Sequence, residues 1–393
     1  MNLLLSPSIV INLVLIMGVI SLIIQLLLIF ILNPAMRKLL FNILLLSSFF
    51  ANQINAQSLV DTLDNKFDLS QMMASRYGFI AIPFIITEPA VGYGGGAALV
   101  FLHKTPEDLA KMEKKTPDLS GVFGMYTESN SWAVGAGHMG FWNDGAIRFR
   151  GGAGYLSLNL KYYPELITEN SDKELMFGLD GYVIYAETVF RLFNSDFYAG
   201  GNYVFSNNKV KFDAPEKVPG TIPTEFEKNL GGLGGIVNYD SRDNIFTPNS
   251  GMSAAVQMIF FDNIFGSDET FQRLFSHWLG FLMLSKNINA GLRLDYQNSF
   301  GDMPFYLRPY ISLRGIPAMR YQGKSTYLIE TEVRWDWNLR WSLVGFTGYG
   351  ETQPINEDLS NKQTAYNYGM GFRYLIAREY GIRMGIDIAR GPE

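Results

Sequence analysis

Ile288-Asn289-Ala290-Gly291-Leu292-Arg293-Leu294-Asp295-Tyr296-Gln297-Asn298-Ser299 alternates with a period of two. Ile288, Ala290, Leu292, Leu294 and Tyr296 fall on one side, and Asn289, Gly291, Arg293, Asp295, Gln297 and Ser299 on the other. Successive side chains of a β-strand point to opposite faces, so this stretch reads as a strand with one apolar and one polar face. The pattern recurs downstream. In 380–389, Tyr380, Ile382, Met384, Ile386 and Ile388 oppose Gly381, Arg383, Gly385, Asp387 and Ala389. In 364–373, Tyr366, Tyr368, Met370 and Phe372 oppose Asn367, Gly369, Gly371 and Arg373. In 327–337, Tyr327, Ile329, Thr331, Val333, Trp335 and Trp337 oppose Glu330, Glu332, Arg334 and Asp336.

Two architectures use such strands. A soluble sandwich turns its polar face to water and its apolar face to a core. A membrane barrel turns its apolar face to lipid and its polar face to a lumen. Charges mixed with glycine on the polar face, and aromatics recurring near strand ends, favour the barrel. The expected fold class is therefore all-β: a transmembrane antiparallel β-barrel with about 15 strands visible of a presumed 16-stranded barrel.

Composition narrows the rest. Apolar residues make up 48% of the chain and aromatics 14%, yet beyond about residue 60 none of the apolar runs reaches the ~20 residues that a spanning helix needs. There are no cysteines, which excludes disulfides, thiol catalysis and thiolate metal sites. A net charge of −5 without a basic block gives no reason to expect a nucleic-acid partner. His103, His138 and His277 lie in separate expected strands without metal-ligand spacing. His138 falls on the outer face, where a lipase triad is conceivable, but no serine signature accompanies it. Neither Gly94–Gly96 nor Gly231–Gly235 precedes the Lys-Ser/Thr of a phosphate loop; glycine in a barrel more often marks bends, and Gly94–Gly96 would soften the closing seam. No catalytic residue, metal or cofactor is expected, and the chain does not read as an enzyme.

The N-terminus divides into two apolar segments. Residues 8–32 are long enough for a membrane helix. Met36-Arg37-Lys38, the apolar stretch Leu39–Phe50 and the segment Ala51–Ala56 before Gln57 have the layout of a secretory signal peptide. The organisation expected is an upstream non-native extension or hydrophobic segment over 1–35, a signal peptide over 36–56, a short periplasmic lead over 57–76 and an outer-membrane barrel over 77–393. Met36 would then be the initiator and Gln57 the mature start; the rival reading is one long uncleaved anchor.

Turn lengths orient the barrel. Ser285-Lys286-Asn287, Asn338-Leu339 and Ala377-Arg378-Glu379 are tight, whereas 264–270, 300–325 and 352–363 are long. Outer-membrane barrels have short periplasmic turns and longer outside loops, which places the tight turns in the periplasm. The last strand then runs outward, and Ala389-Arg390-Gly391-Pro392-Glu393 reads as a loop start, so the expectation is a barrel truncated one strand short of sixteen.

Two segments carry a resemblance. The first is Asn238-Tyr239-Asp240-Ser241-Arg242-Asp243-Asn244 followed by Pro248 and Gly251. The second is Leu313-Arg314-Gly315-Ile316 in the longest outside loop, followed by Gln322-Gly323 and then Glu332-Val333-Arg334. Together they resemble the bacterial surface-antigen barrel of the BamA/TamA outer-membrane assembly-factor superfamily, over roughly 77–391. The resemblance implies that Arg314 dips into the lumen and pairs with Glu332. A second acidic position of some family members falls here on Gly348, and Glu330 or Asp336 would substitute for it. It also implies client outer-membrane proteins as partners, beside outer-membrane lipid and lipopolysaccharide, in a Gram-negative cell envelope. Assembly factors of this kind carry periplasmic POTRA domains, and 57–76 is too short for one. Two functions follow as expectations: assembly, insertion or translocation through a lateral seam, or a passive channel or structural surface barrel.

Overall fold

A computed structural model describes residues 59–74, 79–103, 117–162, 175–213, 224–354 and 362–392. The expectations for 1–35, 36–56 and the start at Gln57 fall outside the described residues. Alternation does produce strands: β1 (Phe79–Ile86), β2 (Gly94–Leu102), β3 (Leu119–Thr127), β4 (Trp132–Trp142) and β5 (Ile147–Tyr162) come first. β6 (Leu175–Arg191), β7 (Phe197–Phe212), β8 (Glu225–Asp240), β9 (Gly251–Phe261) and β10 (Phe271–Ser285) follow. β11 (Ile288–Gly301), β12 (Ser325–Asp336), β13 (Trp341–Gln353), β14 (Gln363–Ala377) and β15 (Ile382–Arg390) complete the set. All fifteen form one antiparallel sheet in sequence order, and among the described residues no pairing joins β1 to β15. A short helix, α1 (Ser70–Ala74), precedes β1.

The sheet is apolar outside. Leu99, Val122, Val134, Ile184, Val237, Val256, Leu294, Ile329, Val333, Leu343, Met370 and Ile386 are all exposed on its convex face. An apolar surface this continuous would drive association in water; it is the surface that lipid covers. Aromatics edge it at both ends. One girdle is tyrosine-rich, with Trp132 stacked on Tyr155 and Tyr296 on Tyr327. The other is tryptophan-rich, with Trp142 stacked on Phe149 and Trp341 against Phe372 and Tyr374. Amphipathic rings settle at the headgroup level on both sides of a bilayer.

Turns 143–146, 192–196, 241–250, 286–287, 337–340 and 378–381 share one end of the barrel, called here the short-turn end. The connections 262–270 and 302–324 lie at the opposite, long-loop end, although 128–131 there is tight. Pro83 interrupts β1, and a residue with no N–H to donate suits an edge strand.

The inner face departs from the expected polarity at the long-loop end. β5, β6, β7 and β8 run for 16, 17, 16 and 16 residues, beyond the ~9–11 that cross a bilayer. Their projecting ends turn Tyr162, Leu175, Phe177, Val210, Phe212 and Leu230 inward around Met303, Phe305, Tyr306 and Met319 of the 302–324 loop. The Phe305 ring lies 4.4 Å from Tyr162 and 5.2 Å from Phe177. The loop is thus seated on a hydrophobic core inside the barrel mouth, and burying such rings stabilises by roughly 1.5–3 kcal/mol each.

Candidate functional site

Arg314 leaves this loop and enters the lumen. Its Nη1 donates to Glu332 Oε2 at 2.7 Å and to Asp387 Oδ2 at 3.1 Å, and its Nε donates to Glu330 Oε1 at 3.0 Å. The guanidinium also lies 3.5 Å from the Phe346 ring centroid, on the face that attracts cations. Three carboxylates from β12 and β15 therefore meet one planar fork, a geometry that arginine satisfies and lysine does not. Gly315 follows at φ +80°, and a Cβ there would stand 2.9 Å from Ala389 Cβ on β15. Both the backbone conformation and the close approach require glycine.

The position implied for a second acid is Gly348, and the space a side chain would take is filled. A Cβ there would meet Leu313 Cδ2 at 2.6 Å and Asn367 Oδ1 at 2.8 Å. Fully buried Asn367 donates to the Arg314 carbonyl at 2.9 Å and to Glu330 Oε1 at 3.1 Å. Glu330 does supply the extra carboxylate. Asp336 does not: it accepts from Arg334 and from Ser342 instead.

The turn motif plugs the lumen from the other end. Asp240 accepts from Arg148 at 2.7 Å and from Arg242 at 2.9 Å, which ties the turn to β5. Asp243 Oδ1 accepts the backbone N–H groups of Asn249 and Ser250, and Gly251 reverses the chain at φ +91°. Asn244 donates to the Tyr380 carbonyl at 3.0 Å, and Asn249 accepts from Arg334. Tyr239 points away from this network, its ring 4.8 Å from that of Phe197. Pro248 and Phe246 instead face a cavity of about 360 Å³ whose far side is Arg314. Arg242, Arg293, Arg334, Arg373 and Arg383 also line it. Charges there are matched: Arg293 pairs with Asp295, and Arg373 with Asp387.

A second ionic cluster was not expected from sequence. The 57–76 lead is more than a spacer, because residues 59–74 dock at the short-turn end. Arg340, 3% exposed, donates to Asp61 at 2.5 Å, to Asp64 at 2.6 Å and to Asp68 at 2.5 Å. Arg378 donates to Asp61 at 2.5 Å, and the Arg378 N–H to Asp68 at 2.9 Å. The Arg378 hydrogen bond, helped by the Leu63 N–H and by Arg340 and opposed by burial, holds the Asp61 carboxyl down at about 2. A depressed carboxylate contributes its stabilisation above its unfolded pKa of about 3.9 and loses it as pH falls through the folded value. Docking of 59–74 should therefore be unchanged between pH 7 and 5 and be lost near pH 2. Hydrogen exchange at the Leu69 amide, corrected for intrinsic rates, measures it; release already at pH 5 would contradict this account.

Two histidines that sequence separates are brought together by register. Ser120 Oγ lies 2.8 Å from His138 Nδ1 and 2.9 Å from His103 Nε2, on the outward face. A hydroxyl that donates to one imidazole and accepts from the other satisfies itself and one nitrogen of each ring on a lipid-facing wall. His277 instead contacts Asp295 at 2.5 Å.

No protein-family model matches the chain, and no curated protein matches it. Solved structures do. The crystal structure of BamA from Haemophilus ducreyi lacking POTRA domains 1–3 superposes with a TM-score of 0.51 at 12% identity, over 80% of this chain and 66% of that one. CdiB from Escherichia coli superposes with a TM-score of 0.51 at 9% identity, over 78% of this chain and 63% of that one. The chain has the fold of the BamA and CdiB barrels. It spans just under two thirds of the length of those two chains. At such identities the BamA-like likeness is one of fold, and sites have to be argued from their own residues.

Proposed function

We propose that this protein is an outer-membrane barrel that handles β-strand clients at the edge of its first strand, β1, in assembly, insertion or translocation, and is not a solute conduit. The observation that carries this reading is the occupation of the lumen from both ends, by the Arg314 loop and by the 241–250 turn. A porin keeps its lumen open to water. A lumen entered from both ends leaves the wall as the working surface. Unpaired strand edges are templates for β-augmentation, and the resemblance to assembly factors supplies the client class, outer-membrane proteins. Lipid and lipopolysaccharide would surround the aromatic girdles of a Gram-negative outer membrane.

The experiment is depletion in the native host combined with planar-bilayer recording. The expected result is a broad fall in other outer-membrane barrels, with little steady conductance from the purified protein. Large steady conductance with normal levels of other barrels would establish the channel reading instead, which the polar, arginine-lined cavity favours. Sidedness is checked in the same cells. The chain has no cysteine, so Lys362→Cys at the long-loop end should react with an impermeant thiol reagent on intact cells, and Asn287→Cys at the short-turn end should not. The reverse labelling would invert the orientation.

A further inference from the structure

We propose that residues 59–74 form a latch that holds shut, at the short-turn end, the seam beside β1 between β1–β3 and the β12–β15 wall; this rests on reading the edge of β1 as the working edge. The two flanks of the seam share no strand pairing among the described residues, yet one segment touches both. On the β14–β15 flank the attachment is polar and extensive. The Leu69 N–H donates to the Ile376 carbonyl at 2.8 Å, the Tyr374 hydroxyl to the Phe67 carbonyl at 2.8 Å, and the Glu379 N–H to Ser70 Oγ at 3.1 Å. Asp61, Asp64 and Asp68 add the Arg340 and Arg378 pairs on the turns that flank β13 and β14.

On the other flank the contact is apolar. Leu69 and Met73 of the latch form one cluster with Leu102 of β2 and with Ala377 and Tyr380 beside β15. Ile82 of β1, Leu119 of β3 and Ile382 of β15 pack against the same cluster. This asymmetry assigns the parts. Charge-assisted bonds to buried arginine are strong and directional, so the acidic half stays with the β12–β15 wall. Among the described residues the side chains of Leu69 and Met73 meet β1–β3 through apolar contacts alone, so this half lets go when the seam opens. The latch then moves with β15 and frees the edge of β1.

The test uses spin labels at Ala81→Cys on β1 and Ile386→Cys on β15, both outward, exposed and nearer the short-turn end, in a chain without native cysteine. Distance distributions between them are measured in lipid nanodiscs by electron–electron double resonance. In the unsubstituted background one narrow population is expected. With Leu69→Ser and Met73→Ser together, the distribution should extend by at least one strand spacing, about 5 Å. Trypsin cleavage after Lys66 should stay slow, because the acidic half remains docked. With Arg340→Ala and Arg378→Ala together, the distribution should lengthen and cleavage after Lys66 should become fast. An unchanged distance distribution in the arginine variant despite fast cleavage would overturn the latch. So would slow cleavage in that variant, since the ion pairs would then not be what holds the segment. Client folding is not read in this experiment, so the latch and the assembly role can fail separately.

Discussion

Arg340→Ala should undock residues 59–74 while leaving the strands in place. The substitution removes the fork that neutralises Asp61, Asp64 and Asp68, two of which are themselves buried. Removing one partner of a buried ion pair costs about 3–5 kcal/mol, because it strands the opposite charge in a poorly hydrated site. Arg378 still reaches Asp61 and Asp68, which places the loss within that range and not above it. At about 1.4 kcal/mol per tenfold change, docking should weaken by at least roughly a hundredfold. Hydrogen exchange at the Leu69 and Met73 amides reads this directly, since they donate to the Ile376 and Leu69 carbonyls. Exchange in β9–β13 should be unaffected. Arg340→Lys should recover only part of the loss, as an ammonium cannot serve three carboxylates in one plane. Unaltered protection at Leu69 in the alanine variant would mean that the apolar contacts alone hold the segment.

Arg314→Ala has the second largest expected effect, and it acts on the loop. Its side chain is 28% exposed, so the cost falls toward the lower end of the buried-pair range, about 3 kcal/mol. Asp387 keeps Arg373, and Glu330 keeps Asn367 and a 3.7 Å contact to Arg293, whereas among the described residues Glu332 keeps only Arg373 at 4.0 Å. The Met303, Phe305 and Tyr306 anchors are untouched, so the second half of 302–324 should loosen and the first half should stay seated. Heat-modifiable gel mobility should shift to lower temperature, and Arg314→Lys should not restore it. A melting profile equal to that of the unsubstituted protein would make Arg314 a solvated lumen residue.

The strands were legible because their signal is local: a period of two needs no knowledge of neighbours, and about fifteen visible strands were expected where fifteen are found among the described residues. Arg314 and Glu332 could be named because the family resemblance pairs them, and loop position and strand alternation agreed with it. Asp387 had already fallen on the inner face, but its link to Arg314 spans 73 positions and depends on where the loop folds back. Asn367, also placed on the inner face, went unlinked to Arg314 for the same reason. The docked lead was invisible because Asp61, Asp64 and Asp68 look like an ordinary solvated acidic stretch, and Asp61 meets Arg340 across 279 positions. His103 and His138 read as unrelated because cross-strand register, not spacing, brings them to Ser120. The apolar barrel mouth was missed because Tyr162, Phe177 and Phe212 sit at strand ends, where a lumen was expected to be polar.

The central claim is that the protein works on strands at its wall. Its most direct measurement is the folding rate of an unfolded outer-membrane barrel client in liposomes that contain the purified protein. The account predicts faster client folding than in empty liposomes, and slower folding again when a disulfide between cysteines placed on β1 and β15 locks the seam. Client folding no faster than in empty liposomes, or acceleration that survives the locked seam, would contradict it.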